Sequence, residues 1–263
     1  MLELKDITLS FNRGTPEELC LFRNLSVRVE EGDFVCVVGS NGAGKSTLLN
    51  LIAGAIRPDA GAILLDGADI TRLPEHRRAR RMGRVFQDPA KGTSPMMTVL
   101  ENMALAQIKG QRYNLRRGVA RGQQEQFAAQ LRELNIGLED KLNLNAGQLS
   151  GGQRQAVALL MAAMGQPQLL LLDEHTAALD PRMSRLVMER TRQLVEQRHM
   201  TAIMVTHNLS FALEFGNRLW MLHRGQLVYD VSGPQKAALT KEGLLEAFSR
   251  ANPGEESDTM VLQ

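Results

Sequence analysis

The sequence predicts an α/β fold with a mainly parallel core sheet, an N-terminal antiparallel β-subdomain and an inserted α-helical subdomain. Short apolar runs alternate along the chain with segments of helical periodicity, which is typical of parallel strands joined by right-handed crossovers. Residues 2–29 show near-alternation of apolar and polar side chains, as in strands with one solvated face. The middle of the chain, about residues 88–148, is polar and helical in character, and we interpret it as the insertion.

The composition is that of a folded domain. The chain has 263 residues, with 31 Lys and Arg against 29 Asp and Glu and a formal charge of +2. A chain of this length can bury a core without disulfides or metals. No apolar region typical of a signal peptide follows the first residues, and the longest apolar run is Ala156–Met164. That run is about half of the roughly 20 residues that span a bilayer, so we expect a cytosolic chain that crosses no membrane by itself.

Cysteines and aromatic residues exclude further classes. Cys20 and Cys36 form no CxxC pair, so the sequence predicts neither a disulfide framework nor a cysteine zinc site. Cys36 lies in an apolar run and is predicted to be a small core residue. One Trp, two Tyr and eight Phe are too few to suggest an aromatic platform for nucleic acid.

The N-terminal third predicts strands followed by a helix. Residues 2–11 and 25–29 read as strands, and Gly14-Thr-Pro16 breaks the chain between them. Phe34–Val38 is a continuous apolar run, as expected for a buried parallel strand, and it ends in a glycine-rich turn. Ser46–Ala53 carries leucines and isoleucine at helical spacing, so the order is strand, glycine-rich loop, helix.

The middle of the chain predicts two helices. Thr98 can cap a helix that begins at Val99, with Glu101 at the position that completes a capping box. A second helix is predicted over Arg116–Leu134, because three apolar residues fall on one face at i, i+4 and i+7. These residues are Phe127, Leu131 and Leu134.

The last third returns to the α/β pattern. Leu169–Leu172 and Ala202–Val205 predict buried strands, and the amphipathic segment Arg182–Gln197 predicts the helix between them. One short helix is predicted near Leu239–Phe248, followed by a disordered tail at Asn252–Asp258. No long linker divides the chain, so we expect a single domain over residues 1–233 and a C-terminal extension over residues 234–263.

The glycine-rich loop matches the P-loop pattern G-x-x-x-x-G-K-[ST], between a strand and a helix as the pattern requires. Glycines let backbone N–H groups turn toward phosphate oxygens, and the helix N-terminus adds favourable partial charge. Lys45 can reach the β- and γ-phosphates of ATP, and Ser46 can ligate Mg²⁺. The predicted fold is therefore that of a P-loop NTPase. The predicted binding residues are Gly39, Ser40, Asn41, Gly42, Ala43, Gly44, Lys45, Ser46 and Thr47.

Two carboxylates end the strand at Leu169–Leu172. Ligands of open α/β sheets bind at the carboxyl ends of the strands, where Asp173 and Glu174 stand. We expect Asp173 to hold Mg²⁺ and Glu174 to act as the general base that polarises the attacking water.

Between these two regions stands Leu149-Ser-Gly-Gly-Gln153. With it, the sequence closely resembles the ATP-binding subunits of ABC transporters, whose signature is LSGGQ. The resemblance covers residues 1 to about 233, and six motifs follow in the family's order. They are the P-loop, Gln87, LSGGQ, Asp173-Glu174, Ala178-Leu-Asp180 and His207.

The resemblance assigns roles to residues outside the P-loop. It implies that Gln87 contacts Mg²⁺ and the attacking water, and that His207 touches the γ-phosphate and holds Glu174 in geometry. Phe11 matches the aromatic position that stacks on adenine, although packing in the core would also explain it.

The resemblance also implies a site completed by a second copy of the chain. Ser150, Gly151 and Gly152, with Gln153 completing the motif, would bind the γ-phosphate of ATP held by the other copy. Asp180 would lie at the interface of the two copies.

The sequence departs from the family's pattern after the catalytic glutamate. His175 stands where most of the family has Pro, and Ala177 stands where Ser is usual. Neither change removes a catalytic group. An imidazole here could make a pH-sensitive contact, and an ordinary loop residue is the alternative. The segment Asp173–Asp180 resembles an importer-like subgroup, some of whose members are proposed to carry aromatic amino acids.

The resemblance therefore implies an ATPase that uses ATP and Mg²⁺, dimerises with itself and drives a separate membrane permease at the cytoplasmic face. An importer-type system for a small solute such as an amino acid, with a substrate-binding protein, fits this reading. The stretch from Asp88 to Asn102 resembles the surface that receives a permease. Its Met96 and Met97 would suit an adaptable contact, and packing in the core is the alternative.

A non-transport ABC ATPase acting on nucleic acid or ribosomes is the alternative, because arginines cluster in the chain. A solvated face is the ordinary explanation for such a cluster, and no nucleic-acid partner is expected. A kinase or GTPase is disfavoured because LSGGQ has no role there. The clustered arginines are Arg77, Arg78, Arg80, Arg81, Arg84, Arg112, Arg116, Arg117 and Arg121.

Overall fold

The computed structural model describes residues 1–110, 118–119 and 122–251. The chain divides into two compact units. One unit comprises Met1–Arg78 and the chain from Thr201 onward, and the other comprises Ala79–Met200. None of the helices within the described ranges combines the length and apolar character that crossing a bilayer requires.

The first unit contains an antiparallel sheet with the strand order β2-β1-β4-β5. Its strands are β1 (Leu2–Phe11), β2 (Leu19–Val29), β4 (Ala60–Leu65) and β5 (Ala68–Asp69). β1 pairs with both β2 and β4, and the alternating side chains of β1 place Leu2, Leu4, Ile7 and Leu9 in the core. The predicted N-terminal antiparallel sheet is confirmed, and β4 and β5 are additions that the sequence did not predict.

The first unit also contains mainly parallel strands in the order β10-β9-β3-β8. They are β3 (Phe34–Gly39), β8 (Thr201–Val205), β9 (Arg218–His223) and β10 (Gln226–Ser232). β3 runs parallel to β8 and β9, and β10 pairs antiparallel with β9. Every residue of β3 and β8 is buried, as expected for strands covered on both faces. The predicted parallel core is confirmed here.

The helices of the first unit follow these strands. They are α1 (Lys45–Ala53), α2 (Glu75–Arg78), α7 (Leu209–Glu214), α8 (Gly233–Ala237) and α9 (Lys241–Ala251). The helix predicted near Leu239–Phe248 is present as α9, and α8, which precedes it, was not predicted. Pro234 lies in the first turn of α8, where a missing N–H costs nothing. The predicted disordered tail at Asn252–Asp258 lies outside the described residues.

The second unit pairs two parallel strands and surrounds them with helices. The strands are β6 (Met82–Val85) and β7 (Leu169–Asp173), and the helices are α3 (Val99–Gln107), α4 (Gln123–Glu133), α5 (Gly151–Met164) and α6 (Pro181–Gln197). Short 3-10 helices occupy Pro89–Lys91, Glu139–Lys141 and Ala146–Gln148. The described segments between residues 88 and 148 form helices and contain no β-strand. The boundaries of an inserted helical subdomain there stay a prediction.

The two predicted helices of the middle region are present, one with a different start. Thr98 and Glu101 form the predicted capping box at the start of α3. α4 begins at Gln123, and its N-cap residue Gly122 has a left-handed backbone with φ 87°. Arg116, Arg117 and Arg121 lie outside the described residues. The predicted apolar face is buried, with Phe127 and Leu131 fully inaccessible.

Candidate functional site

The P-loop joins β3 to α1. Gly39 ends β3, and a Cβ at this position would lie 2.0 Å from the carbonyl oxygen of Leu222. Gly44 starts α1 at φ 97°, where a Cβ would lie 2.9 Å from the Phe22 ring. Only glycine fits both positions, because one has no room for a side chain and the other needs a left-handed backbone as well.

The Lys45 side chain lies inside the P-loop and is hydrogen-bonded to the loop's backbone. It is buried, and its ammonium donates hydrogen bonds of 2.8 Å to the carbonyl oxygens of Gly39 and Ser40. Asn41 and Gly42 of the loop and Ser46 in the first turn of α1 are exposed. The hydrogen-bonded Lys45 ammonium, the glycine-rich backbone of the loop and the N-terminus of α1 together form a cradle that fits a polyphosphate.

His207 lies on the same sheet edge as the P-loop. β8 runs parallel to β3 with Val205 opposite Val37, and the Thr206 amide donates to the Val37 carbonyl at 3.1 Å. His207 is the next residue, and its side chain is exposed. Since parallel strands end together, His207 and the loop that follows Val38 both belong to the carboxyl edge.

Gln87 and Glu174 share the corresponding edge of the second unit. β6 and β7 are parallel, with Val85 opposite Leu172. Gln87 lies two positions after Val85, and Glu174 lies two positions after Leu172. Glu174 has φ 45°, an uncommon backbone conformation for a residue with a side chain. The buried Gln155 of α5 donates to the carbonyl oxygen of Phe86 at 3.0 Å and so fixes the residue before Gln87.

Asp173 has a neighbour that the sequence reading did not identify. Arg84 Nη2 of β6 lies 3.6 Å from Asp173 Oδ2, and both side chains are 14% exposed. The guanidinium also lies 4.5 Å from the centre of the Phe86 ring. Arg84 and Asp173 are 89 positions apart in the sequence, so no local pattern could indicate this ion pair, which the parallel register brings together.

The signature residues begin α5. Ser150 is the N-cap, and its hydroxyl accepts from the Gln153 amide while the Gln153 side chain accepts from the Ser150 amide, both at 3.3 Å. This capping box leaves Gly151 exposed at a helix N-terminus, which suits an anion. A Cβ at the buried Gly152 would lie 2.7 Å from Met183 of α6, so glycine here permits close packing of α5 against α6.

Asp180 is placed beside this helix start. Its carboxylate caps α6 by accepting from the Met183 amide at 3.1 Å. Leu179 Cδ2 lies 3.7 Å from the position of a Cβ at Gly151. The structure therefore brings Asp180 and the signature residues to neighbouring helix N-termini of one unit.

His175 is neither an exposed loop residue nor a sensor of physiological pH. It is buried, and its Nε2 lies 3.0 Å from Thr191 Oγ1. Burial lowers the pKa of His175 to about 4, so the imidazole stays neutral at ordinary pH. His175 is therefore a buried residue of the loop that follows β7, with one side-chain partner.

Phe11 and the arginine cluster also differ in surroundings. Phe11 ends β1 opposite Leu19 and is partly exposed, so its contact with adenine stays a prediction. Arg78 is buried among backbone carbonyls, and Arg84 faces Asp173, so the cluster is not a continuous solvated face. Arg77 and Arg80 are exposed, whereas Arg112, Arg116, Arg117 and Arg121 lie outside the described residues.

Comparisons with known proteins identify relatives of the chain. The sequence model of the family described as ABC transporter matches residues 22–177. The chain is 46% identical over 251 residues to a tyrosine transport ATP-binding protein of Clostridioides difficile (strain R20291), covering 95% of this chain and all of that protein. It is 35% identical over 229 residues to HrtA of Staphylococcus aureus (strain N315), which is named as a hemin import ATP-binding protein. That match covers 86% of this chain and 98% of HrtA.

A solved structure shares the fold. The dimeric ATP-binding cassette MJ0796 in a post-hydrolysis state, bound to ADP and phosphate, superposes with a TM-score of 0.74 at 30% identity. The match covers 88% of this chain and 98% of that chain. The family match spans more than half of the sequence, and the relatives are matched over nearly their whole length. The chain belongs to the ABC transporter family and is one of its ATP-binding cassettes, an ATPase.

Proposed function

We propose that this ATPase closes with a second copy of itself around two ATP molecules and so drives solute import through a separate membrane permease. The observation that carries the proposal is the P-loop cradle of one unit together with the capped signature helix of the other, in a chain matched by the ABC transporter family. The cradle binds phosphate through backbone amides and Lys45, and the helix N-terminus of α5 offers a second anion site.

The catalytic groups act at the carboxyl ends of the parallel strands. Ser46 and Asp173 fit Mg²⁺, since both offer oxygen ligands, and Gln87 adds an amide oxygen. Held by these residues, Mg²⁺ would supply positive charge that offsets the negative charge of the phosphates. Glu174 accepts a proton from the attacking water, and His207 contacts the γ-phosphate.

Two copies are needed because the signature residues complete the other copy's site. Ser150, Gly151, Gly152 and Gln153 contact the γ-phosphate held by the partner's P-loop, and Asp180 lies at the interface. The exposed N-terminus of α5 supports this assignment, as does the dimeric state of the MJ0796 cassette. Phe11, partly exposed at the end of β1, stacks on adenine.

The permease contacts the surface around Met96, which is 83% exposed. Met is flexible and polarisable, so an exposed Met adapts to the irregular surface of a partner. The chain therefore works at the cytoplasmic face of the membrane. The cargo is a small solute such as an amino acid, delivered by a substrate-binding protein, and the likeness to the Clostridioides difficile tyrosine transport protein favours an aromatic one.

The Glu174→Gln variant tests the catalytic part of the proposal. It should bind ATP as the original chain does and hydrolyse it about 10²–10⁴-fold more slowly, the usual contribution of a general base. ATP affinity is measured with a fluorescent analogue, and turnover is measured by phosphate release. Near-normal turnover would refute the role of Glu174.

Affinity purification from solubilised membranes tests the transport part. A permease should co-purify with the original chain, and less of it with Met96→Asp. Recovery of nucleic acid or ribosomes in place of a membrane protein would favour the non-transport alternative. The inward contacts of Arg78 and Arg84 weigh against that alternative.

A further inference from the structure

The loop that follows Glu174 is fastened to α6 at two points. Ser184 donates its hydroxyl to the carbonyl oxygens of Thr176 and Leu179, at 3.0 and 3.2 Å. Nearer to Glu174, the His175 ring reaches Thr191, two helical turns further along α6. His175 and Thr191 are 2% and 0% exposed, so water does not compete for this contact.

The hydrogen-bond partners of Thr191 fix the position of the imidazole proton. Thr191 Oγ1 donates its only proton to the Val187 carbonyl oxygen at 2.8 Å. It can therefore only accept from His175, which must carry its proton on Nε2. Nδ1 is then an acceptor, and it is buried without a hydrogen-bond partner. A buried polar atom without a partner is costly, so the bond at Nε2 is what compensates for burying this ring.

The residue before His175 has an unfavourable backbone. Glu174 adopts φ 45°, a backbone conformation that residues other than glycine rarely take. Such a conformation persists only where the surrounding contacts impose it. The Glu174 carbonyl also accepts from the Ala177 amide at 3.0 Å, which begins the loop. His175 is bonded covalently to Glu174, so fixing its ring on α6 fixes the backbone from which the Glu174 side chain projects.

We propose that His175 is a positioning residue, whose Nε2–H bond to Thr191 holds Glu174 in the orientation from which its carboxylate activates water. The proposal rests on the proposed function of Glu174 as the general base. His175 does not itself touch substrate. It supplies through a side-chain hydrogen bond the rigidity that a proline at this position would supply through its ring.

Steady-state kinetics of four variants test this role. Thr191→Val removes the acceptor at nearly constant volume, and His175→Leu removes the donor. Each should lower kcat about 10-fold, because a general base displaced by a fraction of an ångström loses alignment with its water. The KM for ATP should stay unchanged. Thr191→Ser and His175→Gln restore the hydroxyl and a nitrogen donor, and both should recover most of kcat.

A double variant tests whether His175 and Thr191 act through the one hydrogen bond that joins them or affect kcat independently. His175→Leu combined with Thr191→Val should lower kcat no further than either change alone, since both remove the same bond. Val195→Ala, one turn further along α6, is the matched control. Val195 is buried, so this change lowers stability, and kcat per folded molecule should stay unchanged.

The outcomes distinguish this inference from the function on which it rests. An unchanged kcat in Thr191→Val, which keeps the packing, overturns the positioning role even if His175→Leu fails to fold. A fall of kcat in Val195→Ala equal to that in Thr191→Val also overturns it, because stability alone would then explain the loss. Normal turnover in Glu174→Gln would instead refute the proposed function itself.

Discussion

Arg78 supports the end of the P-loop helix, and its replacement by Met should destabilise the first unit. The side chain is 2% exposed, and every nitrogen of its guanidinium donates to a backbone carbonyl. The acceptors are the carbonyl oxygens of Leu73 (2.9 Å), Leu51 (2.7 Å), Ile52 (2.9 Å) and Thr71 (2.9 Å). Two of them belong to the last turn of α1, where carbonyls lack partners within the helix.

The magnitude follows from these four bonds. A hydrogen bond contributes about 1 kcal/mol net, and one from a charged group contributes somewhat more. Burial of the guanidinium opposes this gain, as its lowered pKa indicates. Met fills similar volume and bears no charge, so it removes the bonds and the desolvation cost together. We expect a loss of about 3 kcal/mol in the free energy of unfolding.

Unfolding in guanidinium chloride, followed by circular dichroism, measures this loss of stability. The matched control is Arg77→Met, because Arg77 is the exposed neighbour on the same short helix. That change should alter the unfolding free energy by less than about 0.5 kcal/mol. Arg78→Lys, which keeps the charge with fewer donors, should fall between the two. A loss below about 1 kcal/mol in Arg78→Met would show that the four bonds contribute little and would refute the reasoning.

Three further results are expected. Burial raises the pKa of the Cys36 thiol to about 12, so iodoacetamide at pH 8 should modify Cys20 and leave Cys36 unmodified until the chain unfolds; equal labelling of both would contradict this. The pKa of His175 is lowered from 6.5 to about 4, so the unfolded chain takes up this proton first and stability falls as pH drops from 6.5 toward 4. The loss reaches about 3 kcal/mol, and acid titration of unfolding should show a weaker pH dependence in His175→Gln. Asn102 is buried and bonds Ser94, Met97 and Thr98, so Asn102→Leu should cost about 2 kcal/mol and accelerate hydrogen exchange at residues 94–98; unchanged exchange there would show that the loop is held by other contacts.

Local patterns predicted the elements that carry chemistry. The P-loop, the strand before Asp173 and the capping box at Thr98 each follow from residues within about ten positions of one another, where backbone conformation is decided. The burial of Cys36 followed from its apolar neighbours in the same way. These parts of the fold needed no knowledge of distant residues.

Contacts across long stretches of sequence were not predictable. The pairing of Arg84 with Asp173 depends on the register of two strands, and the bond of His175 to Thr191 depends on how a loop returns to the next helix. The start of α4 at Gln123 is not indicated by the apolar periodicity. β9 carries a continuous buried run that periodicity alone does not distinguish from a helix.

Mixing two inactive variants tests most directly whether two copies share each ATP site. Lys45→Ala removes the cradle lysine, and Ser150→Phe blocks the signature helix, so each variant alone should be inactive. A mixed dimer retains one intact site, formed by the P-loop of the Ser150→Phe chain and the signature of the Lys45→Ala chain. Half of the dimers in an equal mixture are mixed, so the phosphate-release rate should recover to about one quarter of the original. A rate no higher than that of the separate variants would contradict the shared site.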